Sequence, residues 1–159
     1  MRYVVDGHNL IPKVGLNLAS VDDEMDLVLI LQEFSRTRRA KIEVFFDGAP
    51  AGEAGTRRLG TVVVHFVRVG TTADAAIRVW LQRMHHSASN WTVVSSDREV
   101  QHAARDAGAE AVSAEAFARL IQGEKRKRRR TSKGSSPKQD GAMSDDELDQ
   151  WLDLFRKQS

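Results

Sequence analysis

The sequence predicts an α/β fold in which helices cover both faces of a mostly parallel sheet. Short apolar runs rich in Val, Ile and Phe alternate along the chain with longer segments of helical character. Strands that alternate with helices are joined by right-handed crossovers, and the result is a three-layer sandwich. The 159 residues are enough for one domain with a buried core.

Five apolar segments are predicted as strands because each is short, rich in β-branched or aromatic residues and bounded by polar residues. The four main strands are expected at residues 2–6, 41–46, 61–67 and 91–95, and a short edge strand is expected at 109–112. The first main strand ends on Asp6, and the second is followed directly by Asp47.

Four segments are predicted as helices from helical spacing of their apolar residues or from capping residues at their start. They are expected at residues 22–39, from 71 or 72 to 85, at 97–107 and at 113–121. The segment 48–60 is rich in Gly, Ala and Pro, and this composition predicts a mobile loop.

Charge divides the chain into three parts, although the net charge is only +2. Residues 1–122 form the predicted domain. Residues 123–143 contain eight basic and two acidic residues and almost nothing to bury, which predicts a basic disordered linker. Residues 144–159 begin with a capping-box pattern and carry apolar residues on one helical face, which predicts an amphipathic helix. So short a helix needs a surface, either this domain or a protein partner.

Composition excludes several classes of protein. The chain has no cysteine, which excludes a disulfide framework and any cysteine-ligated metal centre. No stretch of apolar residues is long enough for a membrane span, and the first residues do not read as a signal peptide. We therefore expect a cytoplasmic protein with no membrane partner.

Acidic and amide side chains follow the predicted strands at the edge where parallel strands end. Asp6, Asp47 and Asp97 come at or just after three strands, Asp74 begins the helix after a fourth, and Asn9 lies just past Asp6. Ligands gather at this edge of open parallel sheets. Clustered carboxylates repel unless a cation lies between them, and hard oxygen donors select Mg²⁺ or Mn²⁺. Such ions polarise phosphate and activate water.

Each acid taken alone also has a purely structural explanation. Asp74 fits a capping box that begins at Thr71, and Asp97 fits the first turn of a helix capped by Ser96. Asp6 and Asp47 each precede a glycine, as turn residues do. Four acids at equivalent positions nevertheless favour a functional site.

Four segments of the chain resemble motifs of the NYN-domain family, in the order in which the family has them. The segments are VVDGHNLI at 4–11, VFFD at 44–47, TAD at 72–74 followed by Ile77, and SSDREVQ at 95–101. The resemblance is to the YacP-like branch of this family, part of the PIN-like nuclease group. It covers the predicted domain from residue 2 to residue 121.

This resemblance implies a PIN-like fold and a divalent-metal-dependent endoribonuclease, in some members acting on ribosome-engaged mRNA. It implies that Asp6 and Asp74 are the principal metal-site acids, that Asn9 and Asp97 occupy supporting positions, and that Asp47 belongs to the same metal site. Catalysis is assigned on this basis to Asp6, Asp74 and Asp97, with Mg²⁺ or Mn²⁺ as cofactor.

One departure from the family pattern lies on the helix after Asp74. Family members often carry further acids there, whereas this chain has Ala75, Ala76 and Arg78. Arg78 places a cation one turn from Asp74. A second hypothesis therefore stands beside the nuclease: a non-catalytic RNA- or ribosome-binding protein on the same scaffold.

Basic residues in three places are candidates for RNA binding. They are expected to contact phosphate with strong salt dependence, although terminal charge runs are often only solvated. The candidates are Arg57 and Arg58 in the predicted loop beside the acids, Arg98 at a helix start, and the basic run Lys125, Arg126, Lys127, Arg128, Arg129 and Arg130. The expected partners are RNA and the ribosome.

Overall fold

The computed structural model of the protein describes residues 1–16 and 21–132. Six strands form one sheet: β1 Arg2–Asp6, β2 Lys41–Ala49, β3 Gly55–Leu59, β4 Val62–Arg68, β5 Thr92–Val94 and β6 Glu110–Val112. The α-helices are α1 Gly7–Leu10, α2 Val21–Arg38, α3 Ala73–Met84, α4 Arg98–Asp106 and α5 Ala114–Ser132, with 3₁₀ turns at Ile11–Val14 and His85–Asn90. The predicted amphipathic helix at 144–159 lies outside the described residues.

The strands are ordered β3-β4-β2-β1-β5-β6, and every neighbouring pair is parallel except β3 with β4. The chain moves outward from β1 to β2 and β4, and then returns to the other side of β1 as β5. The direction of winding therefore reverses beside β1, which is where ligands bind in folds of this type. The predicted α/β class with a mostly parallel sheet is confirmed.

Two apolar layers cover the two faces of the sheet. On one face α2 and α5 contribute Leu27, Leu31 and Phe117, all fully buried. On the other face α3 and α4 contribute Ile77 and Val100, which are also fully buried. Because both faces are covered, the central strands are rich in buried Val, Ile and Phe on both faces, as parallel strands usually are. Within the described segments, no helix is both long and apolar enough to cross a membrane.

The predicted mobile loop at 48–60 is wrong in most of its length. Strand β2 continues to Ala49, and β3 pairs antiparallel with β4 from Gly55 to Leu59. Residues 60 and 61 form the two-residue connection, with Gly60 at a φ of 64°. A glycine with positive φ permits the tight β3–β4 hairpin. The sequence does not indicate this hairpin, because residues 48–55 are rich in Gly and Ala.

The last helix is longer than its predicted range of 113–121. Helix α5 continues to Ser132, so the first part of the segment predicted as a disordered linker is helical. Lys, Arg, Glu and Gln have high helix propensity, and once a helix is established by packing they extend it at little cost. The remainder of the predicted linker, from residue 133, lies outside the described residues.

Candidate active site

Three carboxylates lie at the edge of the sheet where β1 ends. Asp6 is the last residue of β1, Asp47 lies in the last part of β2, and Asp74 is in the first turn of α3, the helix that follows β4. The charges of Asp47 and Asp74 both act on the carboxyl group of Asp6. These three acids therefore lie at the same edge of the sheet and within reach of one another's charge.

Asp6 has the most perturbed environment of the three. Its pKa is raised to about 6, first by burial and then by the negative charges of Asp47 and Asp74. The backbone N–H of Asn9 and the charge of His8 oppose this rise. A half-buried carboxyl among like charges is the arrangement that a bound cation would relieve.

Gly7 explains why the chain can turn into α1 directly after Asp6. A Cβ atom at this position would lie 2.3 Å from Cε1 of Phe46 and 3.0 Å from the carbonyl oxygen of Phe45. The glycine is therefore required by close packing against β2. The dipeptide Asp6-Gly7 is more than turn chemistry, because the glycine permits the close approach of α1 to β2.

His8 is a site residue that the sequence did not predict. Its Nδ1 lies 2.9 Å from Oδ1 of Asp47, and its Nε2 lies 2.9 Å from Oε1 of Glu24 in α2. The pKa of His8 is raised, and the hydrogen bond to Glu24 is the largest cause. Burial acts in the opposite direction and lowers this pKa. The imidazole of His8 thus links Asp47 on β2 to Glu24 on α2 and holds the Asp47 carboxylate in place. No local spacing signals this contact, since the three residues come from separate elements.

The first turn of α3 shows which residues cap the helix. The Thr72 side chain accepts a hydrogen bond from the Ala75 backbone N–H at 3.1 Å, and Asp47 accepts one from the Ala73 N–H at 3.3 Å. Asp74 therefore does not act as the side-chain cap, and its carboxylate has another role.

That carboxylate makes an ion pair with Arg78, one turn further along α3. The other oxygen of Asp74, Oδ1, is buried and lacks a hydrogen-bond partner within the described part of the chain. Arg78 also lies 3.6 Å from Oε2 of Glu99 on α4, and the bond to Asp74 is the main reason that its pKa is raised. The arginine that departs from the family pattern thus contacts one of the two acids that the resemblance assigns to the metal site.

Asn9 joins the first strand end to the loop after β5. Its Oδ1 accepts a hydrogen bond from the Ser96 backbone N–H at 2.9 Å. Ser96 in turn donates to Oε2 of Glu115 at 2.6 Å and accepts from the Ala114 N–H at 3.0 Å. The hydrogen bond from Ser96 is the largest cause of the lowered pKa of Glu115, about 2. The amide oxygen of Asn9 is therefore used in holding the two loops together.

Asp97 is exposed and caps α4. Its Oδ1 accepts a hydrogen bond from the Glu99 backbone N–H at 2.8 Å. It is the N-cap itself, one position earlier than the first-turn role considered from the sequence. Its charge acts on Arg78, so it contributes to the field around that arginine.

The predicted RNA-binding residues lie in different parts of the fold. Arg57 lies on β3 with its guanidinium carbon 5.4 Å from the centre of the Phe66 ring. Arg58 pairs with Val63 near the start of β4, so it lies towards the amino ends of the parallel strands. The expectation that Arg58 lies beside the acids is wrong, because β3 runs antiparallel and carries it to the opposite end.

The other cations of the prediction begin or extend helices. Arg98 is the exposed first residue of α4. The basic run from Lys125 to Arg130 is part of α5, where Lys125, Arg126 and Lys127 lie beyond the apolar contacts of Ile121.

The donors at this edge suit a hard divalent cation. Carboxylate oxygens are the ligands that Mg²⁺ and Mn²⁺ prefer, and the buried unpartnered oxygen of Asp74 is a free acceptor. Among residues 1–16 and 21–132, no three acidic or histidine side chains are already arranged as a metal cage. One oxygen of Asp74 is engaged by Arg78 in an ion pair.

Comparison with known proteins identifies the family. The family model for the YacP-like NYN domain matches residues 3–156. Two crystal structures of Rae1 (YacP) from Bacillus subtilis are similar to this chain, each with 25% sequence identity. One covers 99% of this chain and 93% of its own with a TM-score of 0.68. The other, a tryptophan-to-leucine mutant, covers 89% and 87% with a TM-score of 0.65. No curated protein matches.

This chain therefore belongs to the YacP-like NYN domain family. The resemblance inferred from the four motifs is confirmed, and so is the PIN-like α/β fold that it implied.

Proposed function

We propose that this YacP-like NYN domain is a divalent-metal-dependent endoribonuclease that hydrolyses RNA phosphodiester bonds. The observation that supports it most strongly is the meeting of Asp6, Asp47 and Asp74 at the carboxyl ends of β1 and β2 and the start of α3. The charges of the other two acids raise the pKa of Asp6, and one oxygen of Asp74 is buried and unpartnered in the described structure.

Asp6 and Asp74 would hold the cation, with Asp47 as a third oxygen donor. A bound Mg²⁺ or Mn²⁺ supplies polarisation of the phosphate and activation of water. The pKa of Asp6 is raised first by burial and then by the charges of Asp47 and Asp74, and a bound cation would offset the repulsion among the three carboxylates. The family resemblance gives Asn9 and Asp97 supporting positions, and both would act here through structure, Asn9 by accepting from the Ser96 N–H and Asp97 by capping α4.

The residues around the acids orient them for this task. His8 fixes Asp47 through its Nδ1 and is itself held by Glu24. Asn9 keeps the loop after β5 against the end of β1 through the Ser96 N–H. Arg98, exposed at the start of α4, would neutralise a phosphate that approaches this edge.

The Arg78 ion pair favours a second candidate function. A cation already bound to Asp74 competes with a metal ion, which suits an RNA-binding protein without nuclease activity. The same scaffold and the same basic residues would serve this function.

For the nuclease proposal, the family resemblance suggests mRNA on the ribosome as a substrate. Cleavage that occurs only during translation would be the result expected for such a substrate.

Cleavage of a mixed single-stranded and structured RNA pool with Mn²⁺, Mg²⁺ or EDTA tests the proposal. We expect products with either metal, none with EDTA, and a loss of at least about 100-fold in rate for Asp74→Asn, because the ion would lose a principal ligand. Asp106→Asn, an exposed acid on α4, is the matched control and should cleave as the unmodified chain does. Products that persist undiminished in folded Asp74→Asn would refute the site. RNA binding without products, on and off the ribosome, would favour the second candidate.

A further inference from the structure

A basic groove lies at the amino ends of the strands, away from the acids. It has a volume of about 630 Å³ and is bounded by the end of α2, the first residues of β1 and β2, and the connection between β3 and β4. The cations that line it are Arg2, Arg36, Arg39, Lys41 and Arg58. Only Arg58 was among the RNA-binding residues expected from the sequence.

These five cations are available to a ligand. All of them are exposed, and within the described residues none takes part in an ion pair. The acid among the described lining residues is Glu43, whose Oε1 lies 2.7 Å from Nε2 of His65. The groove therefore has a clear excess of positive charge.

The backbone that carries the cations is held in place by hydrogen bonds. The Ser35 hydroxyl donates to the Ala40 carbonyl, and the Lys41 N–H donates to the Met1 carbonyl at 2.9 Å. On the other side of the groove, Nε2 of Gln32 donates to the Leu59 carbonyl at 2.7 Å and ties the hairpin to α2. A charged surface on fixed loops loses little entropy when it binds a ligand.

The groove is separated from the acidic site along the strands. Arg2 begins β1 and Asp6 ends it, so the two lie about 13 Å apart at the usual rise of a strand. The Arg2 guanidinium carbon lies 5.8 Å from the centre of the Trp91 ring, which steadies this side chain at the groove wall.

We propose that this groove binds the sugar–phosphate backbone of RNA as a second contact, separate from the acid cluster. Four of its five cations are arginines, whose planar guanidinium groups match phosphate oxygens in pairs. Cations contributed by α2, β1, β2 and β3 suit an extended polyanion better than a single small anion. This inference deepens the proposed function, since it takes RNA as the ligand, but it does not require cleavage.

Binding of a fluorescein-labelled single-stranded RNA to the full chain tests the groove. Anisotropy is measured in EDTA, where cleavage is absent, across a series of salt concentrations. The test variant is Arg36→Glu/Arg58→Glu, and the matched control is Arg83→Glu/Arg105→Glu, two exposed arginines on α3 and α4 with the same total charge change.

We expect the groove variant to bind about 25-fold more weakly at 0.1 M salt, with a shallower salt slope. Each phosphate contact on a single strand releases about 0.7 counterions. Two lost contacts therefore remove about 1.4 decades of the affinity gained between about 1 M and 0.1 M salt, which is about 25-fold. The control should bind within about threefold of the unmodified chain. Equal losses in the two variants, or unchanged affinity in a groove variant with native circular dichroism, would overturn the proposal. If the groove variant kept its RNA affinity but lost binding of a polyglutamate peptide, the proposal would be overturned in favour of a protein ligand.

A second measurement covers the case in which the groove variant does not fold. The unmodified chain is crosslinked to RNA containing 4-thiouridine, and the crosslinked peptides are mapped by mass spectrometry. Crosslinks at residues 36–41 and 58–61 support the groove. Crosslinks confined to α5 or to the acid cluster contradict it. Because neither measurement uses a metal ion, failure here leaves the nuclease proposal standing, and the reverse also holds.

Discussion

The two ends of the sheet carry opposite charge and are built differently. At the carboxyl ends, the charges of Asp47 and Asp74 act on Asp6, and His8 contacts Asp47. At the amino ends, exposed arginines and a lysine surround an open groove. The acids are half-buried, and the pKa of Asp6 is raised by burial and by the two neighbouring charges, whereas the cations are exposed. Under the two proposals, metal-dependent chemistry would use half-buried acids that act on one another's charge, while binding of a polyanion would use exposed charge on a fixed backbone.

The largest expected effect comes from removing the half-buried Asp6 carboxylate. Asp6→Asn should lower the rate of Mn²⁺-dependent RNA cleavage by at least about 100-fold, because Asp6 would be a principal ligand. The rate is measured under single-turnover conditions, with Asp106→Asn as the control. Cleavage by Asp6→Asn at the unmodified rate would remove Asp6 from the site.

The same variant should be more stable than the unmodified chain at neutral pH without metal. A pKa of about 6 for Asp6, against an ordinary value of 3.8, means that its ionisation opposes folding as pH rises from about 4 to 6. The folded state binds more protons than the unfolded state in this window, so stability falls as pH rises. Asp6→Asn should gain about 2–3 kcal/mol above pH 7 in urea unfolding and nothing below pH 4. A constant difference across pH would contradict the burial of a charged Asp6.

Glycine substitutions compare how tightly the two ends are packed. Gly7→Ala at the acidic end places a Cβ against the Phe46 ring and should cost about 2–3 kcal/mol of unfolding free energy. Gly60→Ala at the basic end meets the side chain of Gln32 at 3.2 Å from a left-handed φ and should cost about 1 kcal/mol. Gly52→Ala, with open space around it, is the control. A larger loss for Gly60→Ala than for Gly7→Ala in urea unfolding would reverse the comparison.

The smallest expected effect concerns the cation within the acidic site. Arg78→Ala frees the Asp74 carboxylate and should strengthen Mn²⁺ binding about fivefold, as expected for loss of a partly exposed ion pair. Isothermal titration calorimetry measures this, and Arg83→Ala on the same helix controls for net charge. Weaker Mn²⁺ binding in Arg78→Ala would show that the arginine supports the site instead of competing for it.

Much of the fold and of the acid cluster could be predicted from the sequence, because strand ends and helix starts are local features. Asp6 and Asp74 follow directly from the position of their strands. The hairpin strand β3 could not be seen, since it is an edge strand with few apolar residues. His8, Glu24 and the basic groove also escaped prediction, because they depend on tertiary contacts between elements distant in sequence.

Titration of Mn²⁺ into the full chain tests the central claim most directly, because it asks whether the acids hold a metal ion before any reaction. We expect saturable binding to the unmodified chain and to Asp106→Asn, and none at the same concentrations in folded Asp74→Asn. Binding of equal strength in Asp74→Asn, or no saturable binding to the unmodified chain, would contradict the assignment of the carboxyl ends of the sheet as a metal site.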